Sequence, residues 1–202
     1  MRKFLHIIPF ICVCIFPVAG ADAGAEVSAE TASGFIEKLV NEALGIVNHK
    51  EMSDNEKRQQ LSECVNKHLD IERITKAVFK LLGYEDLSPE DKEKVKEFMK
   101  KYLVEFYAGE GKLSAMVNSK LYSKPAAAPK DKDFSVKTNF EKGASSVEIV
   151  WITNGKTVYY VEIAGFNQII TLRSDMKAQV EKKAAEMKIE VGPKALMAYI
   201  NK

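Results

Sequence analysis

The stretch SPEDKEKVKEFMKKYLVEFY, residues 88–107, predicts the clearest amphipathic helix of the chain. Ser88 is of a residue type that caps helix N-termini, and Pro89 takes the first helical position, where its missing N–H leaves no hydrogen bond unmade. Apolar side chains recur at the spacing of one helix face: Val95, Phe98, Met99, Tyr102, Leu103, Phe106 and Tyr107. Gly109 is expected to end the helix.

Three more amphipathic helices are predicted before this one. The first begins at about Ala29 and carries an apolar stripe. Ser53 and Glu56 have the spacing of a capping box, which opens the second helix. Asp70 caps the third, and Gly83 ends it. Four helices joined by short loops therefore come before any long strand.

After these helices the apolar residues change to the alternation of β-strands. Residues 134–140 alternate apolar and polar side chains, which predicts a half-buried strand. Residues 120–123 are expected to form an edge strand, and the run Pro125–Pro129 is expected to form a loop. The sequence thus predicts a twisted antiparallel sheet of about four strands.

Asn154 and Gly155 form the strongest two-residue hairpin signal in the chain, between strands predicted over 147–153 and 156–163. If these two residues are the loop, Trp151 lies opposite Val158 and both faces of the hairpin are apolar. A sheet covered by helices on one side needs only one apolar face. The second face requires a cover, a partner or a ligand, which favours an apolar cavity over a plain core.

Gly165 is expected to break the last strand, and a long helix is predicted from Ser174 to about Lys188. Gly192 and Pro193 then begin a short terminal helix. The predicted fold class is α+β, with N-terminal helices packed on the sheet, C-terminal helices, and an apolar cavity between sheet and helices.

Residues 1–23 have the pattern of a cleavable secretory signal peptide. A charged start, an apolar run and Ala21-Asp22-Ala23 follow one another. The domain expected to remain is 24–202. Removal of Arg2, Lys3 and Asp22 leaves 28 basic and 27 acidic residues, a formal charge of +1. This balance argues against nucleic acid as a partner, and the chain is expected to be a monomer.

No metal site is expected from the sequence. Cys64 is interpreted as a small buried hydrophobe, on the expectation that no histidine or cysteine lies at metal-ligand spacing beside it. His49 and His68 lie on different predicted helices, with no carboxylate four residues on. No cofactor and no catalytic residue are expected either, because the strand half holds no histidine and its acids Glu148 and Glu162 are isolated.

The order of these pieces resembles the MlaC family of periplasmic phospholipid-binding proteins, also called toluene-tolerance auxiliary proteins. The segment that ends in Leu82-Gly83 resembles the family's Leu-Gly segment. The helix from Ser88-Pro89 resembles the family's S/T-P helix with spaced aromatics. Gly165, followed eight residues later by Arg173, resembles the family's glycine and arginine. The chain differs from the family pattern at Lys156, Tyr160 and Ala164.

The resemblance implies a carrier of phospholipid in a Gram-negative periplasm and not an enzyme. Such a protein passes lipid between an outer-membrane lipoprotein complex of the Mla type and an inner-membrane ABC transporter complex, and so maintains outer-membrane lipid asymmetry. Its cargo is bound phospholipid. The acyl chains lie between a twisted sheet and helices, and the headgroup stays in water.

Nine apolar residues are predicted to line the lipid cavity: Val78, Leu82, Phe98, Tyr102, Phe106, Ile149, Trp151, Tyr160 and Phe166. If the other hairpin face lines it, Val150, Ile152, Tyr159 and Val161 replace the three hairpin residues. Arg173 has two interpretations: a salt bridge or carbonyl contact near the glycine break, or a contact with a partner or headgroup.

Two other classes of function fit parts of the sequence. An envelope adaptor would use the second apolar sheet face to bind a protein partner. An enzyme of cone-shaped α+β fold would act on a small apolar substrate, but it would need convergent acid–base groups. Phospholipid in organic extracts of the protein would favour the carrier over both.

Overall fold

The computed structural model describes residues 28–108, 120–130, 133–142 and 144–201. Six α-helices and five strands are found in this part of the chain. In order they are α1 (Ala29–Asn48), α2 (Asp54–His68), α3 (Ile71–Phe79), α4 (Pro89–Ala108), β1 (Lys120–Lys130), β2 (Asp133–Lys142), β3 (Ser145–Thr153), β4 (Val158–Ile163), β5 (Phe166–Asn167), α5 (Gln168–Met187) and α6 (Pro193–Ile200). The predicted signal peptide and the predicted helix end at Gly109 lie outside the described residues.

The strands form one antiparallel sheet in the order β1-β2-β3-β4-β5. Helix α1 packs on β1 and β2, whereas α3 and α5 pack on β4. The α+β class predicted from the sequence is confirmed: four long strands are joined by a fifth of only two residues, and helices flank the sheet in sequence.

The helix starts predicted from capping residues are confirmed. Ser88 Oγ accepts the Asp91 N–H at 3.1 Å. Ser53 and Glu56 form a complete capping box, and Asp70 Oδ1 accepts the Arg73 N–H at 3.0 Å. The third helix continues as a 3₁₀ turn over Lys80–Leu82 and stops at Gly83, which has φ +79°. Glycine adopts this left-handed conformation without steric cost.

The predicted start of the long C-terminal helix at Ser174 is wrong. Helix α5 begins at Gln168, because the Asn167 side chain accepts the Ile170 N–H at 3.1 Å and caps the helix six residues earlier. The predicted loop at Pro125–Pro129 is also wrong, since β1 runs through it to Lys130. Strand β1 lies at the sheet edge and has register shifts here, which is where a sheet tolerates proline.

The predicted register of the β3–β4 hairpin is wrong as well. Trp151 lies opposite Val161, not Val158. The loop extends from Asn154 to Thr157, because Asn154 Oδ1 accepts the N–H groups of Lys156 at 2.9 Å and Thr157 at 2.8 Å. An Asx turn of this kind competes with the two-residue turn that Asn-Gly otherwise favours.

Buried apolar side chains form two clusters, one mainly among the helices and one mainly between α1 and the sheet. The helical cluster joins α3, α4, α5 and α6, with Phe79, Met99, Leu172 and Leu196 at most 2 % exposed. The sheet cluster joins α1 and α2 to β2, β3 and the start of β4. Leu69, in the link between α2 and α3, packs against both clusters.

Candidate functional site

A small pocket lies between the sheet and the helices, where α3, α4, β4 and α5 meet. Its lining is mostly aliphatic: Leu69, Ile74, Leu103, Val158, Tyr159, Val161, Gln168, Ile169 and Leu172. Its volume is about 20 Å³, which is room for one sphere the size of a water molecule. The pocket is thus in the predicted place but is far smaller than an acyl chain.

The lining carries few groups that could do chemistry. Of the residues that surround the pocket in the described part of the chain, only Tyr159 and Gln168 have polar side-chain atoms. Burial, together with the hydrogen bond to Asp133, raises the pKa of the Tyr159 hydroxyl to about 12. A phenol with this pKa is a poor proton acceptor at neutral pH, so the surface is suited to hydrocarbon more than to acid–base catalysis.

Three polar side chains tie α3 to the sheet beside this pocket. Arg73 makes a bidentate pair with Asp133 of β2, at 3.2 Å from Nη1 to Oδ1 and 2.9 Å from Nη2 to Oδ2. The Tyr159 hydroxyl donates to the same carboxylate at 2.8 Å. We call these three residues the latch. They join the two elements that supply Ile74 and Val158 to the pocket.

The electrostatics of the latch favour its ionised form. Burial opposes ionisation of Asp133, but the hydrogen bonds from Arg73 and Tyr159 outweigh it and lower the pKa of this carboxyl. The same pair raises the pKa of Arg73, so the guanidinium is charged at every ordinary pH. Asp133 is buried more deeply than Arg73, with 11 % of its side chain exposed against 46 %. The latch is therefore a half-buried ion pair, which solvent screens only in part.

The backbone also holds the α2–α3 link against β4. The Asp70 N–H donates to the Val158 carbonyl at 2.8 Å, and Leu69 and Val158 form an isolated parallel bridge. Leu69 and Val158 are both lining residues. The closed pocket thus rests on this bridge, on the latch and on apolar packing.

The predicted cavity residues of the helices all lie in the helical cluster. Val78 and Leu82 are fully buried. Phe98, Tyr102 and Phe106 are half-buried and stack along α4, with ring centroids 6.2 Å and 6.1 Å apart. The inward stripe of that helix is instead Val95, Met99 and Leu103. These aromatic rings pack toward Tyr199 of α6, 5.5 Å from Phe98.

The predicted cavity residues of the strands lie in three different places in the structure. Ile149 and Trp151 lie in the sheet cluster, where Trp151 Nε1 donates to Thr138 at 2.8 Å. Tyr160 packs against the helical cluster. Phe166 is 71 % exposed. None of the nine lines the small pocket, whereas Tyr159 and Val161, of the alternative hairpin face, do. Lipid contact by any of them stays a prediction.

Arg173 makes the carbonyl contact that was one of its two interpretations. Its Nε donates to the Ala77 carbonyl at 3.0 Å. Ala77 is in the last turn of α3, where carbonyl groups lack helical partners and a cation is favourable. Arg173 therefore joins α5 to α3.

The sequence reasoning missed most of the pocket lining. Leu103 is predicted on the apolar face of its helix, but nothing in the sequence distinguishes it, or Ile74, from ordinary core residues. Ile169 was missed because the start of α5 was placed too late. The Asn167 cap, followed by Ile169 and Leu172 on one helix face, is the signal that could have found it.

Two large apolar side chains are exposed next to the pocket along the chain. Phe166 and Ile170, 71 % and 55 % exposed, flank the lining residues Gln168 and Ile169. We call this pair the rim. Exposed apolar groups beside a pocket commonly mark a surface that contacts a membrane or a partner. In the described residues, no helix is both long and apolar enough to span a bilayer.

Comparisons with known proteins identify relatives of the fold. A family model described as MlaC protein matches residues 37–200. Among solved structures, the phospholipid-binding protein from Ralstonia solanacearum in complex with a phospholipid is similar, with a TM-score of 0.64 and 18 % identity over 84 % of this chain and 94 % of that chain. At this identity the likeness shows a shared fold. No curated protein matches the chain.

Proposed function

The chain belongs to the MlaC family, and we propose that it is a periplasmic phospholipid carrier that holds acyl chains between the β4 strand and helices α3, α4 and α5. The observation that carries this proposal is the aliphatic pocket at the junction of these four elements. The neighbour of the same fold was solved with a phospholipid bound.

The free energy of acyl chains in water explains why such a carrier needs a dry interior. Two chains carry on the order of thirty methylenes, at roughly 0.8 kcal/mol each, so exposing both would cost about 24 kcal/mol. Transfer is close to neutral only when the protein offers apolar contact that matches the bilayer. The helical cluster places aliphatic and aromatic side chains around the pocket that could supply such contact once the pocket widens.

The pocket must widen for cargo to enter. At about 20 Å³ it cannot hold a methylene chain, so α3 and α5 have to separate from β4. The latch spans α3 and the sheet and would open in this step. Opening the latch exposes its charges to water, which compensates for part of the lost ion pair. Acyl chains in turn replace the apolar contacts that the two layers lose.

A filling variant tests this location directly. Ile169 lines the pocket and is 9 % exposed, whereas Ile170, its neighbour in α5, is exposed. In protein purified from its own envelope, we expect Ile169→Trp to lower the co-purified phospholipid several-fold, measured by mass spectrometry of organic extracts. Ile170→Trp is the matched control and is expected to retain wild-type occupancy. Gln168→Trp, at the edge of the pocket, provides a second filler if Ile169→Trp does not fold.

The same extracts also test the carrier proposal as a whole. Wild-type protein without phospholipid would contradict it and would leave the adaptor as the remaining reading. Normal occupancy in both folded fillers would place the cargo elsewhere. Phe98→Trp and Phe106→Trp then test the aromatic face of α4, where several of the predicted cavity residues lie.

Delivery to membranes or to Mla-type complexes is a further part of the proposal, and the rim supports it. Phe166 and Ile170 present apolar surface where a leaving acyl chain would emerge. Phe166→Ser together with Ile170→Ser should slow transfer of labelled phospholipid to acceptor vesicles or to the reconstituted inner-membrane complex, without changing occupancy. Val191→Ser, at a site 46 % exposed between α5 and α6, is the control. Equal slowing in the control would show that exposed apolar area alone matters.

The carrier is proposed to be non-catalytic. The support is the chemistry of the pocket, in which the only polar side chains among the described lining residues are a high-pKa phenol and an amide. A general acid or base needs a pKa near the working pH and a reacting group within hydrogen-bond reach. Turnover of a lipid ester by the purified wild-type protein would contradict this part of the proposal.

A further inference from the structure

Three potential metal ligands meet between α1 and α2, outside the pocket. Glu42 projects from α1, and Cys64 and His68 project from the same face of α2, one turn apart. One ligand atom from each lies within 4.8 Å of both others. We propose that Glu42, Cys64 and His68 form a binding site for a divalent transition-metal ion, with Zn²⁺ as the best match.

The donor set determines the class of metal. A thiolate sulfur, an imidazole nitrogen and a carboxylate oxygen are the three donor types that bind Zn²⁺ in proteins. Mg²⁺ and Ca²⁺ prefer all-oxygen sites, so a sulfur and a nitrogen among three ligands disfavour them. Three protein ligands leave a fourth tetrahedral position for water. Glu42, whose side chain is 38 % exposed, gives that position access to solvent.

The geometry is close to what the ion requires. His68 Nε2 already faces Glu42 Oε2, at 2.9 Å. Around a tetrahedral zinc, with bonds of about 2.0–2.3 Å, ligand atoms lie roughly 3.3–3.6 Å from one another. The ion would therefore separate the His68–Glu42 pair slightly and draw the Cys64 sulfur closer. Movements of this size are within reach of side-chain torsions and leave both helices in place.

Burial makes the site selective and orders its ligands. Cys64 and His68 are 5 % and 8 % exposed. The imidazole is held against the Phe35 ring, with centroids 5.6 Å apart. Preordered ligands lose little conformational entropy when a metal binds. The prediction that no histidine lies at metal-ligand spacing from Cys64 is wrong, because His68 follows it by four residues, one turn further along the same face of α2.

One neighbouring charge opposes the metal. Lys67 Nζ lies 3.5 Å from Glu42 Oε2 and competes for the same carboxylate. Its side chain is 65 % exposed, so it can be changed without disturbing packing. We expect Lys67→Gln to tighten metal binding about fivefold, because a like charge near the ion is removed.

Titration of the full, untagged protein with Co²⁺ alone tests the proposal. We expect one Co²⁺ per chain, with a near-ultraviolet sulfur-to-cobalt charge-transfer band and visible bands of tetrahedral geometry, both abolished when Zn²⁺ is added. Cys64→Ala should remove the charge-transfer band. Glu42→Gln and His68→Gln should each weaken binding at least about tenfold. His49→Gln, at the exposed end of α1, is the matched control and should bind as wild type.

The stability of the protein provides a second readout. A metal that binds only the folded state raises the unfolding temperature with its concentration. Zn²⁺ should raise it equally in the wild type and in His49→Gln, but less at the same concentration in Glu42→Gln, which removes no buried side chain and is expected to fold. Absence of a charge-transfer band in the wild type would overturn the proposal. Wild-type Co²⁺ affinity in folded Glu42→Gln, or an unchanged charge-transfer band in folded Cys64→Ala, would also overturn the proposal.

Discussion

The guanidinium carbon of Arg73 lies 3.3 Å from the centroid of the Tyr159 ring, so a cation of α3 is stacked on an aromatic side chain of β4. The same guanidinium and the same phenol both bind Asp133. Each member of the latch thus contacts the other two. Such a three-way contact predicts that removing any one member disturbs the other two.

Removal of the Arg73 side chain should destabilise the protein. We expect Arg73→Ala to lower the free energy of unfolding by about 1–3 kcal/mol, because Asp133 is left largely buried without its cationic partner. Lys76→Ala is the matched control on the same helix: its ion pair with Glu85 is exposed on both sides, so we expect almost no change in the free energy of unfolding. Urea denaturation of both variants measures the difference, and equal effects would contradict the latch.

The latch should also set the rate at which cargo exchanges. If α3 separates from β4 when the pocket opens, Arg73→Ala should speed loading and release of a fluorescent phospholipid. Slower or unchanged exchange in a folded variant would mean that the layers open elsewhere. Lys76→Ala again serves as the control.

Acid should lower the free energy of unfolding by protonating Asp133. Its folded pKa is lowered, so its contribution to stability is fully present above the unfolded value of about 3.9 and is lost as the pH falls through the folded value. The free energy of unfolding should therefore fall below about pH 4 in the wild type. Asp133→Asn should be less stable at neutral pH and should lose less on acidification. Parallel curves for the two proteins would contradict the ion pair.

Alkali should also lower the free energy of unfolding, through ionisation of Tyr159. Its folded pKa is about 12, above the ordinary value of 10, so its contribution is present below pH 10 and is lost as the pH rises through about 12. Tyrosinate absorbance of the folded protein should show a phenol that ionises near pH 12, which is absent when the protein is unfolded in urea. Tyr159→Phe should remove this late ionisation and leave the rest of the titration unchanged.

The end of the third helix depends on a glycine for two separate reasons. Gly83 has φ +79°, and a Cβ placed on it would lie 2.5 Å from Cδ of Pro193, the first residue of α6. Gly83→Ala should therefore destabilise the protein by about 1–3 kcal/mol. Gly34→Ala, inside α1 with open space around the new Cβ, should instead stabilise it by about 0.5–1 kcal/mol. In thermal denaturation, Gly83→Ala should unfold at a lower temperature than the wild type and Gly34→Ala at a higher one.

Local chemistry was sufficient to predict where α2, α3 and α4 begin, but not the sheet register. Ser53, Asp70 and Ser88 each bond the backbone three residues on, so their effect is readable from neighbours in sequence. The predicted register of the hairpin was wrong because two turn types, a two-residue turn and an Asx turn, compete at Asn154. The Asx turn it forms lengthens the loop, and one bulge follows between Ile152 and Thr153. The choice between the two turns depends on how both strands pack. The local sequence pattern contains no information on that packing.

The candidate site likewise has features that the sequence predicts and features that only tertiary packing determines. An apolar pocket at the junction of sheet and helices was expected from the surplus of apolar strand residues, but its lining was not. Ile74, Leu103 and Ile169 come from three helices distant in sequence, and only the tertiary fold brings them together. The aromatic stripe of α4 was conspicuous in the sequence, yet Phe98 packs toward Tyr199 instead of the pocket.

The two apolar clusters that meet at Leu69 contribute unequally to the pocket. Ile74, Leu103, Ile169 and Leu172 belong to the helical cluster, whereas Val158 and Val161 belong to the sheet cluster. Substitutions among α1, β2 and β3 should therefore reach the pocket only indirectly, through these two valines, whereas substitutions among α3, α4 and α5 change its lining directly.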